Sequence, residues 1–344
     1  MRNSKTFIAP LILVVLLGAI FASSFFSHRS SIAYSDTDPA YNRAYWKQEI
    51  ANLGPAKAYT LFKQENAKAP ALRQHFSSHV IGELLYEKLG IDGIAVCDST
   101  FGFGCYHGFF GQAIASGGSE RIAELDSACV KAYSSLGTGC QHGLGHGILE
   151  YAGYTRLNDA LALCKKTTQL VPLLGCTSGV FMEYNTPLVS KENGAVPTTR
   201  QLDPKDPHAP CPSVPAENRA SCYFELGQWY RITLGADRQK LNSLCGTLDG
   251  SDRTHCFLGL GAITVAFDGY VLPKAKAECD AFAPADMLSC RAGVSWSFFA
   301  NPPYRAQAPE ACAYPDPAKE KECLSLADLT QGLDDSKQQH AKNP

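Results

Sequence analysis

The sequence predicts an all-α fold: an α-solenoid of about seven to eight helical hairpins with a period of about 34 residues, each stapled by a disulfide inside its own repeat. Three observations carry this. First, the 14 cysteines fall into close pairs: Cys97/Cys105, Cys129/Cys140, Cys164/Cys176, Cys211/Cys222, Cys245/Cys256, Cys279/Cys290 and Cys312/Cys323. Six of these pairs are 11 or 12 residues apart and the first is 8 apart. Second, the leading cysteines advance by 32, 35, 47, 34, 34 and 33 residues, and a step near 34 is the period of stacked helical hairpins. Third, the chain opens on basic residues followed by a long apolar run, which sends the remainder to a compartment where paired thiols oxidise.

At the N-terminus Arg2 and Lys5 precede an apolar stretch from Thr6 to Phe26, interrupted by Pro10, Gly18, Ser23 and Ser24. At about 1.5 Å per residue such a helix can cross a hydrocarbon layer roughly 30 Å thick, and the basic residues hold its leading end in the cytoplasm. Residues 1–33 therefore read as a membrane anchor, or as a signal segment if the small-x-small sequence Ser31-Ile32-Ala33 is cut. Either way the protein is exported: tethered to the membrane with its domain outside the cytoplasm, or secreted or periplasmic after cleavage near Ala33. Residues 34–329 are expected to form a single helical-repeat domain, and the polar residues 330–344 a tail.

Along the domain, ALRQHFSSHVIGELLYEKLG reads as the second helix of an initial unit without a disulfide. Later units repeat one scheme. DRQKLNSLC is followed by SDRTHCFLGLGAITVAF, with Ser251 or Asp252 available as N-cap, and LPKAKAEC (272–279) by a helix opening at Pro284. The first cysteine of each unit thus sits late in one helix and the second early in the next. A bridge between nearest neighbours would pin each hairpin and contribute somewhat under about 3 kcal/mol, though spacing alone does not fix connectivity. The 47-residue step is taken up by 183–210, where Pro187, Pro197, Pro204, Pro207 and Pro210 mark a long loop, a lid or partner surface carrying His208.

Aligning the repeats on the second cysteine separates structural positions from chemical ones. Position +3 is Gly108, Gly143, Gly179, Glu225, Gly259, Gly293 and Leu326. Glycine inside a helix costs about 1 kcal/mol relative to alanine, so close approach between helices is the expected reason. Position +4 is apolar throughout (Phe109, Leu144, Val180, Leu226, Leu260, Val294, Ala327), as a core-facing residue should be. Position +2 is histidine in the first two units, His107 and His142, and Ser178, Phe224, Leu258, Ala292 and Ser325 afterwards.

The histidines form the one constellation with chemical character. His75, His79 and Glu83 follow an H-x3-H-x3-E pattern, and so do His142, His146 and Glu150. With 9 His and 15 Glu, composition predicts about 0.01 such matches by chance. On a helix each set forms one stripe, and paired imidazoles on one face can share a metal with a carboxylate one turn on. With His107 between them, five histidines could converge on one concave wall, as one site built on His107 and a neighbouring stripe or two sites sharing it. Zinc suits a His/Glu set best; copper and iron also suit imidazole, while haem is disfavoured by the lack of a C-x-x-C-H attachment sequence.

Other readings fall away. With 31 Lys+Arg against 33 Asp+Glu and no long basic run, the chain is not a nucleic-acid binder, and 45% hydrophobic with 19% charged residues excludes wholesale disorder. No nucleophile elbow, P-loop or dinucleotide fingerprint occurs. Gly102/Gly104 and Gly137/Gly139, just before helix cysteines, read as turn-shaping residues, and Tyr106, Tyr151, Tyr154 and Tyr184 as packing or pocket-rim residues.

In layout, roughly residues 54–329 resemble exported, cysteine-rich bacterial proteins built from disulfide-linked, tetratricopeptide-like helix pairs. The chain departs from them in its intra-unit spacing and in lacking the tetratricopeptide W/L/G/Y signature, and the histidine stripes are not part of that pattern. The resemblance implies a binding scaffold. Three function classes follow: a metal or ligand-binding scaffold with a protein partner on its repeat surface, a metal-dependent hydrolase or oxidoreductase with Glu83 or Glu150 as general base, or a metal-free interaction scaffold.

Overall fold

The computed structural model describes residues 39–171, 173–187 and 200–326. The expected anchor or signal segment at 1–33, the tail at 330–344, the central part of the proline-rich loop (188–199) and Ala327 lie outside the described residues. Among the described residues there are fifteen α-helices and no strand, and no helix is long and apolar enough to cross a membrane.

In chain order the helices are α1 (Pro39–Leu53), α2 (Pro55–Asn66), α3 (Ala71–Leu89), α4 (Gly104–Gly117), α5 (Ile122–Tyr133), α6 (Thr138–Ala152), α7 (Leu157–Cys164), α8 (Cys176–Asn185), α9 (Arg219–Leu234), α10 (Arg238–Gly246), α11 (Gly250–Phe267), α12 (Leu272–Cys279), α13 (Pro284–Ala300), α14 (Ala308–Ala311) and α15 (Pro317–Leu326). The second helices of successive units pack side by side as one ladder, α3–α4–α6–α8–α9–α11–α13–α15, while the first helices flank it. This is the solenoid that the cysteine ruler predicts.

All seven nearest-neighbour disulfides form: Cys97–Cys105, Cys129–Cys140, Cys164–Cys176, Cys211–Cys222, Cys245–Cys256, Cys279–Cys290 and Cys312–Cys323. Their Cα–Cα distances are 5.4–5.7 Å, and no cysteine is free. Cys129, Cys164, Cys245 and Cys279 lie at or near the end of a first helix. Cys105, Cys140, Cys176 and Cys222 fall in the first turn of the next helix, and Cys256 and Cys290 one turn deeper.

Two units depart from the expected placement, in which the first cysteine closes one helix and the second opens the next. Before Cys97 the first element is a 3-10 stretch, Gly90–Val96. In the Cys211 unit it shrinks to 3-10 turns at Cys211–Ser213 and Ala216–Asn218, so Cys222 ties α9 to a turn rather than to a helix end. Pro207, Pro210, Pro212 and Pro215 withhold the amide donors that an α-helix there would need. In the last unit Cys312 follows the short α14, and Cys323 stands six residues after Pro317 at the start of α15, as Cys290 stands six after Pro284 in α13. The N-caps also shift. Asp237 caps α10 by accepting from the Lys240 amide at 3.1 Å, whereas α11 starts at Gly250, so Ser251 and Asp252 lie inside its first turn. Asp252 pairs with Arg219 on α9 instead.

The ladder is close-packed because its glycines permit it. A Cβ on Gly108, Gly179, Gly259 or Gly293 would stand 1.9–2.0 Å from the carbonyl oxygen of His79, His142, Phe224 or Leu258 on the preceding helix. Gly82, Gly145, Gly227 and Gly261 make the reciprocal approach to the carbonyls of Cys105, Cys176, Cys256 and Cys290. The position after each +3 residue is buried from Phe109 to Val294, which gives the core a continuous apolar strip. Gly259→Ala is expected to destabilise the chain by about 2 kcal/mol or more despite the better helix propensity of alanine, because the obstacle is backbone and cannot swing away. The urea midpoint with unchanged slope checks this.

Candidate metal centre

The glycine contacts also fix the register that brings the histidines together. In three places a +3 glycine meets the +2 carbonyl of the helix before it, and Gly108 makes the same contact with His79. His79, His107 and His142 are therefore equivalent positions on α3, α4 and α6. His75 lies one turn before His79, and His146 one turn after His142. The two H-x3-H-x3-E stripes are thus out of phase by one helical turn, and their glutamates diverge.

The result is two groups of three histidines, His75/His79/His107 and His107/His142/His146, within each of which one ring nitrogen per residue lies within 4.8 Å of the others. Nε2 of His79 is 3.1 Å from Nε2 of His75, Nδ1 of His107 is 3.3 Å from that same atom, and Nε2 of His146 is 3.0 Å from Nε2 of His142. The rings of His107 and His146 stack at 3.9 Å between centroids. His79, His107, His142 and His146 are buried and His75 is partly exposed, so the cluster is an interior seam between helices with a mouth at His75 rather than an open wall.

Second partners set the tautomers. The Phe101 carbonyl can only accept, so Nδ1–H of His75 donates to it at 3.1 Å and leaves Nε2 with its lone pair facing the group. The loop that delivers this carbonyl is strained: Phe101 and Phe103, neither of them glycine, hold φ of 58° and 66° on either side of Gly102. His146 donates Nδ1–H to Glu183 at 2.8 Å, and Tyr154 donates its hydroxyl to the other oxygen of that carboxylate, which is fully buried. A buried carboxylate behind an imidazole is the usual arrangement for orienting a ligating histidine. His142 Nδ1 faces the Ser178 hydroxyl at 3.2 Å, and Ser178 is hydrogen-bonded to Glu225, which also receives Gln228 Nε2 at 2.7 Å. Nε2 of His107 is buried with no hydrogen-bond partner among the described residues.

Burial keeps His75, His79, His107 and His142 neutral. It depresses His75 to about 4, and it pushes His79, His107 and His142 well below the ordinary histidine value, with neighbouring histidines adding to the effect. Burial raises the Glu225 carboxyl to about 8.

Of the other sequence candidates, Glu83 is ion-paired with Arg43, and neither Glu83 nor Glu150 belongs to either three-histidine group. His208 bonds the Leu244 carbonyl at 3.1 Å, away from the cluster, and Arg200 closes the proline-rich loop by stacking on Trp229 at 3.9 Å. Tyr106 is core, Tyr151 is exposed, and Tyr184 packs beside Arg200. Glu183, Ser178 and Glu225 carry roles that the stripes do not reveal. The internal alignment does hold a signal for two of them: Ser178 occupies the histidine position of its unit, and Glu225 is the sole acidic residue where five of seven units carry glycine.

Glu183→Gln, which keeps an acceptor but removes the charge behind His146, is expected to weaken zinc binding at the His107/His142/His146 group by about 10–100-fold, read by competition with a chromophoric chelator. In comparisons with known proteins, no family model matches this chain, and no curated protein or solved structure matches it either.

Proposed function

We propose that this protein is an exported helical-repeat scaffold that holds transition-metal ions in its histidine cluster, with zinc as the first candidate and copper or iron as alternatives. The observation that carries the reading is the pair of three-histidine groups sharing His107, in which Phe101 and Glu183 turn His75 and His146 so that their Nε2 lone pairs face inward. Nitrogens bound tetrahedrally to zinc at the usual distance of about 2.0–2.1 Å stand about 3.3 Å apart. The nearest ring nitrogens here lie at 3.0–3.3 Å before any ion is added. Every thiol is committed to a disulfide, which leaves imidazole as the donor and fits an oxidising compartment.

Holding is favoured over turnover because the nearby carboxylates are engaged: Glu183 by His146 and Tyr154, Glu225 by Ser178 and Gln228, Glu83 by Arg43. Ions would enter at the partly exposed His75. The apolar N-terminal run would tether the scaffold to a membrane, and its repeat surface would be open to a protein partner. The test is elemental analysis of untagged protein, unmodified and with His79→Ala or His146→Ala. Near-stoichiometric metal that falls by one group's share in each variant supports the reading. Protein that carries no metal after aerobic and anaerobic purification, and takes up none when zinc, copper or iron is supplied, overturns it.

A further inference from the structure

The segment 98–103, between Cys97 and Cys105, reaches from one three-histidine group to the other. The Phe101 carbonyl accepts from His75 Nδ1 at 3.1 Å, and a Cβ on Gly102 would stand 3.4 Å from that same nitrogen. Two residues beyond Phe101, the ring of Phe103 lies 6.3 Å from the ring of His142, centroid to centroid. His75 is partly exposed and His142 is 9% exposed, whereas His107 and His146 are 1% and 0% exposed. The segment therefore meets the most accessible histidine of each group.

Its backbone is anchored at both ends and strained between them. The Cys97–Cys105 disulfide closes it. Asp98 accepts from Tyr59 at 2.9 Å, from Lys63 at 2.6 Å and from the Thr100 amide at 2.9 Å. At the far end the Phe103 carbonyl accepts the Tyr106 and His107 amides at 2.9 and 3.3 Å. Phe101, Gly102 and Phe103 all hold left-handed backbone, with φ of 58°, 65° and 66°, and no other stretch among the described residues has three such residues in a row. Side chains other than glycine are uncommon there, and strain of this kind persists where surrounding contacts impose it, at ligand clamps and switches above all.

Those contacts are few. Phe103 N–H to the Ser99 carbonyl and Gly104 N–H to the Phe101 carbonyl are long bonds, at 3.3 and 3.4 Å. The ring of Phe101 meets Phe62 edge-on at 6.0 Å, and the ring of Phe103 stacks on Tyr106 at 6.3 Å. The remaining tie is the bond from His75.

We infer that 98–103 is a strap that gates the histidine seam, lifting from His75 to pass an ion and closing again afterwards, a role that rests on the metal reading of the cluster. The closed strap is compatible with an empty and with a filled cluster, because His75 gives Nδ1–H to Phe101 and keeps Nε2 for the ion. Strain added to the closed strap is therefore present in both states. It cancels from the affinity, since only a difference between the two states can shift binding, and it speeds entry and exit alike.

The test is stopped-flow zinc uptake by the full chain, with release into a chromophoric chelator and the dissociation constant measured alongside. Gly102→Ala puts a side chain on left-handed backbone where its Cβ makes only ordinary contact, so it strains the closed strap without blocking it. Asp98→Ala cuts the anchor at the base of the strap. Each should speed uptake and release together by about fivefold or more and leave the dissociation constant within about twofold. Gly54→Ala, on the turn between α1 and α2 at φ 81° with nothing within 4 Å of the added carbon, imposes similar backbone strain and should leave both rates unchanged. Rates equal to those of the unmodified protein in both strap variants overturn the gate and leave the metal reading standing. So does faster release with unchanged uptake and weaker binding, which would make Phe101 a support for His75 alone. Failure of the unmodified protein to bind zinc overturns both.

Discussion

His107→Phe is expected to strip metal from both three-histidine groups at once, because each draws on that one ring. The substitution keeps a flat ring to stack on His146, now 3.9 Å away, and removes both nitrogens, so it separates ligation from packing. The loss should exceed the about 10–100-fold effect of removing a supporting residue such as Glu183. Bound metal stabilises the native state by about 4 kcal/mol when free ion is a thousandfold above its dissociation constant. For a chain of this size that is a shift in Tm on the order of 10 °C. The unmodified protein should therefore lose that increment when a chelator is added, whereas His107→Phe should start low and show no response. His79→Ala and His146→Ala should each retain about half of it. Thermal unfolding with and without chelator, disulfides intact, reads all four proteins.

Acid is the second large perturbation. An unfolded histidine titrates near about 6.5, whereas the folded chain depresses His75 to about 4 and His79, His107 and His142 below the ordinary value. Above about pH 6.5 these rings are neutral in both states and stability does not depend on them. As pH falls from about 6.5 toward about 4, the unfolded chain binds protons that the folded one refuses. Each such histidine then subtracts about 1.4 kcal/mol per pH unit, and four together approach about 5 kcal/mol per unit. The helices around the seam should open within this window, with metal leaving first because protons compete for the same lone pairs. Urea midpoints from pH 8 to pH 4 should be flat and then fall steeply. A variant with His75, His79, His107 and His142 all replaced by apolar residues should lose the steep part.

How much of this was legible depended on range. The disulfide pairs were readable because each closes within 8–12 residues, and helix direction then follows from the hairpin. The +3 glycines announced tight helix contacts for the same reason: the cost of glycine in a helix needs a local cause. Two groups sharing His107 are among the arrangements the stripes allow, and the relative height of the stripes is what their spacing does not report. His75/His79/Glu83 and His142/His146/Glu150 look like copies of one motif, yet the Gly108 contact gives His79 the place in its unit that His107 and His142 hold in theirs, which throws Glu83 and Glu150 to different heights. Inter-helix register is set by pairs such as Gly108 with the His79 carbonyl, about thirty residues apart, and no spacing within a helix reports it. The supporting partners are equally remote: Glu183 stands 37 residues from His146, and Glu225 stands 47 from Ser178. Equal cysteine spacing also hides where a helix starts. Cys211–Cys222 is 11 apart like its neighbours, yet prolines remove the first helix of that unit.

The central claim is that the buried histidine seam holds metal, and anomalous X-ray diffraction from crystals of the zinc-loaded, untagged protein tests it most directly. Data above and below the zinc edge should show strong density inside the cluster, about 2.0–2.1 Å from ring nitrogens of His107 and of the histidines flanking it. Zinc found only on surface side chains, with the five rings hydrogen-bonded to one another and no density between them, would contradict the account.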